Sequence, residues 1–262
     1  MPEPPQSLAQ GRTIVVRAPR SGAAGATAIF RGRQYPMALD ADGFWVPVGA
    51  SPDAGPGDYT LTVNLLDAGG ALLTALTSTV RIAATDFPVE YLEVPPDGPN
   101  GLQPPDAVQA EANTRAAIYA NVTPAKLWSG SFILPVDAFI STEFGTARSY
   151  NGGPVSTHHS GTDFAADEDT PVHAAAAGRV AWTGTLATRG NSVIVDHGLG
   201  VFTAYHHLSR IDVADGDAIT QGQVVGLVGH TGLATGPHLH WELVVGGQNV
   251  DGVYWTYAGV AP

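Results

Sequence analysis

Over the first 85 residues short runs are β-branched or alternate apolar with polar positions. Thr13-Ile14-Val15-Val16-Arg17, Ala26-Thr27-Ala28-Ile29-Phe30 and Asp58-Tyr59-Thr60-Leu61-Thr62-Val63-Asn64-Leu65 show the pattern, and Ser78-Thr79-Val80-Arg81-Ile82 closes the series. A period of two lays one face of a strand on a core. Asp42-Gly43, Pro56-Gly57-Asp58 and Gly69-Gly70 punctuate the runs as turns. About seven short strands in roughly 75 residues predict an immunoglobulin-like β-sandwich over residues 12–84. Residues 1–11, rich in Pro and Gln, read as a disordered tail. Nothing in this module has catalytic spacing, so it is expected to act as a spacer. Binding of a ligand or partner, or covering of a groove elsewhere in the chain, is the alternative role.

Residues 85–126 form a connector. Pro95-Pro96-Asp97-Gly98-Pro99-Asn100-Gly101 is a hard break, as at a domain boundary. Pro104-Pro105-Asp106 then opens an Ala-rich stretch to about Tyr119, with Val108, Ala112 and Arg115 at helical spacing; Pro followed by an acid suits a helix N-terminus. One short helix packed on the next domain is predicted.

From Leu127 to the C-terminus, 127–262, the pattern returns to strands: Phe132-Ile133-Leu134, Val180-Ala181-Trp182, Ser192-Val193-Ile194-Val195-Asp196, Val201-Phe202-Thr203-Ala204-Tyr205, Val224-Val225-Gly226-Leu227-Val228 and His240-Trp241-Glu242-Leu243-Val244-Val245. Gly turns between them predict an antiparallel β-core. Thr170-Pro171-Val172 to Val180 and Asp217-Ala218-Ile219 to Gly226 share a phrase, a weak duplication within one domain.

Composition narrows the functions. Twelve Lys and Arg against 24 Asp and Glu give a net charge of −12 with no basic run, which argues against nucleic acid and anionic membranes as partners. No cysteine is present, which removes disulfides, thiol nucleophiles and Cys-based metal sites. No apolar run is long enough for a transmembrane helix. The start, Met1-Pro2-Glu3-Pro4-Pro5, carries no signal-peptide pattern.

Histidine is the informative residue. All nine fall between His158 and His240. Three segments carry them in chemical company: Thr157-His158-His159-Ser160-Gly161-Thr162-Asp163, Tyr205-His206-His207-Leu208, and Gly229-His230-Thr231 running on to His238-Leu239-His240. His-x-His on a strand puts both rings on one face. Two His and one Asp are sufficient for a hydrolytic zinc site with an open position, and further histidines can move protons or stabilise an oxyanion. His173, His197 and His230 read as packing or turn residues. Spacing does not choose within the doublets His158-His159 and His206-His207.

These segments resemble the lysostaphin/LytM-type zinc endopeptidases, which cleave peptides of bacterial cell walls. The matching text is His159-Ser160-Gly161-Thr162-Asp163, Tyr205-His206-His207-Leu208 and His238-Leu239-His240, in that order, with Phe144-Gly145-Thr146-Ala147-Arg148 and Gly190-Asn191-Ser192-Val193 around them. The similarity covers about residues 127–250. It implies a C-terminal antiparallel core of the LytM, duplicated hybrid-motif type, in a mainly β chain. It implies one Zn2+ per chain on His159, Asp163 and His240, with His207 and His238 as the catalytic pair. Peptidoglycan peptide is the implied substrate, and an extracytoplasmic location follows from that substrate. A Gly-rich peptide or bacteriocin is another possible target, and a non-hydrolytic wall-binding or hydrolase-activating relative is the alternative from a different class.

Tyr150, Asn151, Tyr205 and Thr231 are expected to wall a substrate groove, on loops held by the core. Backbone carbonyls and Glu242 are the candidate partners that fix the ring tautomers. For Glu242 the simpler expectation is a solvated carboxylate at a strand end.

Overall fold

A computed structural model describes residues 6–95 and 102–259. Its first eight strands are β1 (Gln6–Ala9), β2 (Thr13–Ala18), β3 (Gly25–Phe30), β4 (Arg33–Pro36), β5 (Ala38–Asp40), β6 (Gly43–Gly49), β7 (Gly57–Leu66) and β8 (Leu72–Ala83). They form two sheets, β1-β8-β7-β3-β4 and β2-β6-β5. Alternation puts Leu61, Val63 and Leu65 of β7 inside, at 5% exposure or less. Strand β6, Gly43-Phe44-Trp45-Val46-Pro47-Val48-Gly49, is apolar on both faces and buried throughout. One face meets the module's own core. At the other, Trp45 lies edge-on to Trp128, and Gly49 abuts Val245 and Val250.

The tail is a correction. Gln6–Ala9 pairs in parallel with Val80–Ala83, and Leu8 is buried at 1% exposure. The polar, Pro-rich flanks masked a strand that an open sheet edge recruits. Residues 1–5 lie outside the described residues, as do 96–101, which contain most of the expected domain break.

In the connector, β9 (Val89–Leu92) precedes α1 (Pro105–Ala120), whose first position is proline. Pro at N1 costs no hydrogen bond because that N–H has no intrahelical acceptor. Then come β10 (Phe139–Thr142), β11 (Ala147–Tyr150), β12 (Val155–His158), β13 (Thr162–Ala165), β14 (Pro171–His173), β15 (Gly178–Leu186) and β16 (Gly190–Gly198). Next follow β17 (Val201–Leu208), β18 (Arg210–Ile211), β19 (Ala218–Ile219), β20 (Val224–Leu227), β21 (Leu239–Val245), β22 (Gln248–Val250) and α2 (Gly252–Tyr257). The main sheet runs β10-β13-β21-β17-β16-β15-β19, with β22 on β21. Its strand pairs are all antiparallel. The smaller sheets are β12-β11-β9 and β14-β20-β18.

Two further expectations change. Phe132-Ile133-Leu134 is irregular; Phe132 plugs the core at 2% exposure, and the first strand of this region is β10. The connector strand β9 pairs in parallel with β11, so the sheet system of the second domain starts before residue 127. The duplicated phrase is spatially reciprocal: β14 pairs β20 while β15 pairs β19.

The two faces of the main sheet matter most. On β21, Leu239, Trp241, Leu243 and Val245 enter the large core, and His240, Glu242 and Val244 face the other way. That second face is closed by α1, whose Ile118 and Tyr119 pack on Ile194, Phe202, Ala204 and Val244. No helix among the described residues is long and apolar enough to cross a membrane.

Candidate metal and catalytic centre

Three adjacent strands of the main sheet, β13, β21 and β17, start the site. Asp163 on β13 stands opposite His240 on β21, and His240 stands opposite His206 on β17. His159 arrives from the β12–β13 turn. Gly161 is required in that turn, because a Cβ there would lie 2.3 Å from the Trp241 carbonyl oxygen.

Hydrogen bonds fix the tautomers. A carbonyl only accepts, so His159 Nδ1 donates to Glu143 O at 3.0 Å and leaves Nε2 bare. A carboxylate also only accepts, so in the neutral ring that a metal requires His240 Nε2 donates to Glu242 Oε1 at 3.1 Å and leaves Nδ1 bare. The bare nitrogens lie 2.9 Å apart, and Asp163 Oδ1 is 3.0 Å from His159 Nε2 and 2.7 Å from His240 Nδ1. Three lone-pair donors facing one another repel unless positive charge sits among them.

The electrostatics point the same way. Burial opposes charge on Asp163, but His240 and His159 outweigh it and hold the carboxyl well below its ordinary value. Burial lowers His159 to about 4, so it is neutral near pH 7. Burial also opposes charge on His240, yet the Asp163 and Glu242 carboxylates hold its pKa above the ordinary value. The pocket therefore draws positive charge to the triad. His159, Asp163 and His240 form a buried group whose donor atoms all lie within 4.8 Å of one another. Zinc bonds of 2.0–2.1 Å would set such donors roughly 3.3 Å apart in a tetrahedron, so the triad fits with an opening of a few tenths of an ångström.

His207 reaches the same place by a backbone irregularity. Asn191 pairs with Leu208 and Val193 with Tyr205, so His206 and His207 together oppose the single residue Ser192. This is a β-bulge, and His207 sits in the left-handed region at φ 61°. Neighbouring residues of a regular strand point to opposite faces; here both rings reach His240, with centroids 5.5 Å (His206) and 6.0 Å (His207) away. His207 Nδ1 donates to Thr231 O at 2.7 Å, and His238 Nδ1 to Gly236 O at 2.9 Å. Both therefore carry bare Nε2 atoms. The two rings are 4.7 Å apart, and His238 Nε2 is 3.9 Å from Asp163 Oδ1. Burial, then the neighbouring His238 and His240, hold His207 well below its ordinary pKa.

The five histidine and aspartate positions line one open cleft of ≈ 690 Å³. Tyr150 lines it too. Asn151, Tyr205 and Thr231 do not, and these are corrections. Asn151 at φ 51° clamps the backbone of Val94 through both amide atoms. Tyr205 is fully buried because its hydroxyl accepts from Ala175 N and from Thr203 Oγ1 within the core. Thr231 works from behind, as the carbonyl that orients His207. Glu242 is also corrected, with no solvent exposure at all.

Residues that sequence reasoning missed come from remote segments. Arg148 Nη2 holds Asp163 Oδ2 at 3.2 Å, and its Nε holds Glu90 of β9 at 3.2 Å. Glu90, Leu92 and Val94 of the connector and Val108 of α1 line the cleft. No local signal marks them, since each acquires its role by pairing across the fold. Among the histidines outside the centre, His158 pairs with Asp53, His230 with Glu168, and His197 lies in the core.

Residues 157–252 match the profile of peptidase family M23. Peptidoglycan DD-endopeptidase ShyA of Vibrio cholerae is 42% identical over 119 residues, which is 45% of this chain and 28% of that protein. DD-carboxypeptidase/endopeptidase Mpg of Neisseria meningitidis is 45% identical over 95 residues, 36% of this chain and 22% of the relative. The chain thus spans about a quarter of the length of these curated relatives. A crystal structure of a Pseudomonas aeruginosa protein assigned to peptidase M23 superposes with a TM-score of 0.72 at 27% identity, covering 97% of this chain and 96% of that one.

Proposed function

The chain belongs to peptidase family M23, the lysostaphin/LytM type, and from that membership we propose that it is a zinc-dependent endopeptidase acting on the peptides of bacterial peptidoglycan. The observation that carries the reading is the convergence of three bare donor atoms with two further histidines whose Nε2 atoms are also bare. His159, Asp163 and His240 would hold the metal. Bound there, zinc supplies Lewis acidity that acidifies water and polarises a peptide carbonyl.

The chain's own residues move the protons. His207, kept neutral by burial, accepts a proton from the attacking water at Nε2 and returns it to the departing amine. His238 Nε2, on the ring 4.7 Å from that of His207, takes the complementary part and donates to the developing oxyanion once protonated. The Nδ1–carbonyl bonds of both rings keep these nitrogens aimed at the cleft. Arg148 holds Asp163 in place from the far side.

The substrate class is supported by the names of the relatives, peptidoglycan DD-endopeptidase and DD-carboxypeptidase/endopeptidase. An extracytoplasmic location follows from that substrate. The N-terminal two-sheet module, read as immunoglobulin-like, serves as a positioning unit. Its residues are absent from the lining of the cleft among the described residues, which argues against a cover over the groove. The deciding experiment is muropeptide release from purified cell walls, with and without chelator. Loss of release on chelation and its return on adding zinc are expected. Release that survives in a His240→Ala variant would overturn the assignment, and a chain that binds walls without cutting them would be a non-hydrolytic relative.

A further inference from the structure

Glu242 lies two residues beyond His240, and segments remote from one another in sequence converge on its two oxygens. Ser160 Oγ donates to Oε1 at 2.7 Å. Arg189, in the turn before β16, donates to Oε1 through Nε at 2.9 Å and Nη2 at 2.7 Å. Asn249 of β22 donates to Oε2 at 2.9 Å, and Arg115 of α1 closes on Oε2. Arg189 is shared with α1: its Nη1 donates to Glu111 Oε1 at 2.6 Å, and Glu111 also accepts from Thr188 N and Oγ1.

Glu111 and Arg115 sit four residues apart on one face of the helix. Two buried carboxylates and two half-buried guanidiniums thus form a neutral cluster. A buried carboxylate is tolerated only when paired and fully hydrogen-bonded. Helix α1 supplies one acid and one base of the set, so the cluster cannot form without it.

The cluster has a consequence for His240. A carboxylate fixed at its Nε2 edge puts the ring hydrogen there and turns Nδ1 bare toward Asp163 and His159. Partners of this kind orient a metal-binding imidazole and raise its basicity. We propose that connector helix α1 is a working part of the metal centre, with Arg115 and Glu242 as positioning residues that hold His240 in its ligating orientation. The proposal rests on the reading of His159, Asp163 and His240 as a zinc site.

Zinc affinity of the full chain, measured by competition with a chelating dye alongside circular dichroism and melting, separates this role from simple helix stability. Arg115→Met is expected to weaken zinc binding by about 10- to 100-fold, and Arg115→Lys, which restores the charge, to recover most of it. Ala116→Gly, at the exposed neighbouring position, loosens the same helix without touching Glu242. It is expected to lower the melting temperature and leave zinc affinity within about twofold of wild type.

A folded Arg115→Met protein with wild-type zinc affinity would overturn the proposal, and so would an Ala116→Gly protein as weakened as Arg115→Met. If Arg115→Met does not fold, Asn249→Ala, which removes a different donor from Glu242, is read by the same criterion. A wild-type chain that binds no zinc would instead sink the metal-site reading itself.

Discussion

Gly190 offers a way to move His207 without touching it. It stands at the start of β16 with φ +60°, and a Cβ added there would lie 2.3 Å from both Thr231 O and Thr231 Oγ1. Real Cβ atoms essentially never come within 3.0 Å of another atom, so Thr231 must retreat by at least about 0.7 Å in Gly190→Ala. Thr231 is pinned on the other side, since its hydroxyl accepts from Asn191 N and donates to Leu208 O, both at 2.9 Å. Its carbonyl is what fixes His207 Nδ1 at 2.7 Å. The displacement therefore passes to the His207 ring. A misplacement of about 1 Å in a catalytic group costs on the order of 100-fold in rate. Left-handed strain and overpacking add about 2–4 kcal/mol of lost stability. The proposed ligands His159, Asp163 and His240 lie on other segments, so under the zinc-site reading zinc content is expected to stay near that of wild type. The assay is kcat/KM on a defined muropeptide, with zinc content and melting temperature measured on the same sample. A folded Gly190→Ala enzyme with kcat/KM within threefold of wild type would refute the claim that the Thr231 carbonyl positions His207.

Three further outcomes are expected. His238→Ala should keep zinc and lose turnover by about 100-fold or more, whereas His240→Ala should lose both; metal analysis beside the muropeptide assay tells them apart. Burial lowers His197 from 6.5 to about 4, so the unfolded chain takes up a proton that the folded chain refuses. Stability is then full above pH 6.5 and falls as the pH drops toward 4, by roughly 3 kcal/mol for this residue alone. Urea unfolding between pH 7 and pH 4.5 should show a shallower acid loss in His197→Gln, and equal slopes would count against it. A fragment beginning at Leu127 should be less stable and at least tenfold less active than the full chain, because it lacks β9, Glu111 and Arg115, and exposes Trp128 where Trp45 covered it. A gain in activity on this truncation would instead support latency.

The chain's own text carried most of the strand pattern and the residues of the centre. Alternation marked β3 and β7, where one-sided burial writes itself into every second position, while β-branched and apolar runs marked β2, β16, β17 and β21, the last three buried on both faces. The spacing in His159–Asp163 and His238–His240 is local, so it survives in one dimension. The family resemblance chose His159 and His207 within their doublets, and the fold supplies the reason for His207: a bulge opposite Ser192 turns a ring that a regular strand would point away. A bulge is a mismatch between two strands, and one strand read alone does not contain it.

Three-dimensional closure decided the rest. Glu242 reads as a strand-end acid until Arg115, 127 residues away, and Arg189 cover it. Tyr205 reads as a groove residue until its hydroxyl finds Ala175. Leu8 reads as part of a polar tail until β8 offers an edge. In each case the sequence set the chemistry of the side chain, and long-range pairing set whether that chemistry met solvent, core or the site.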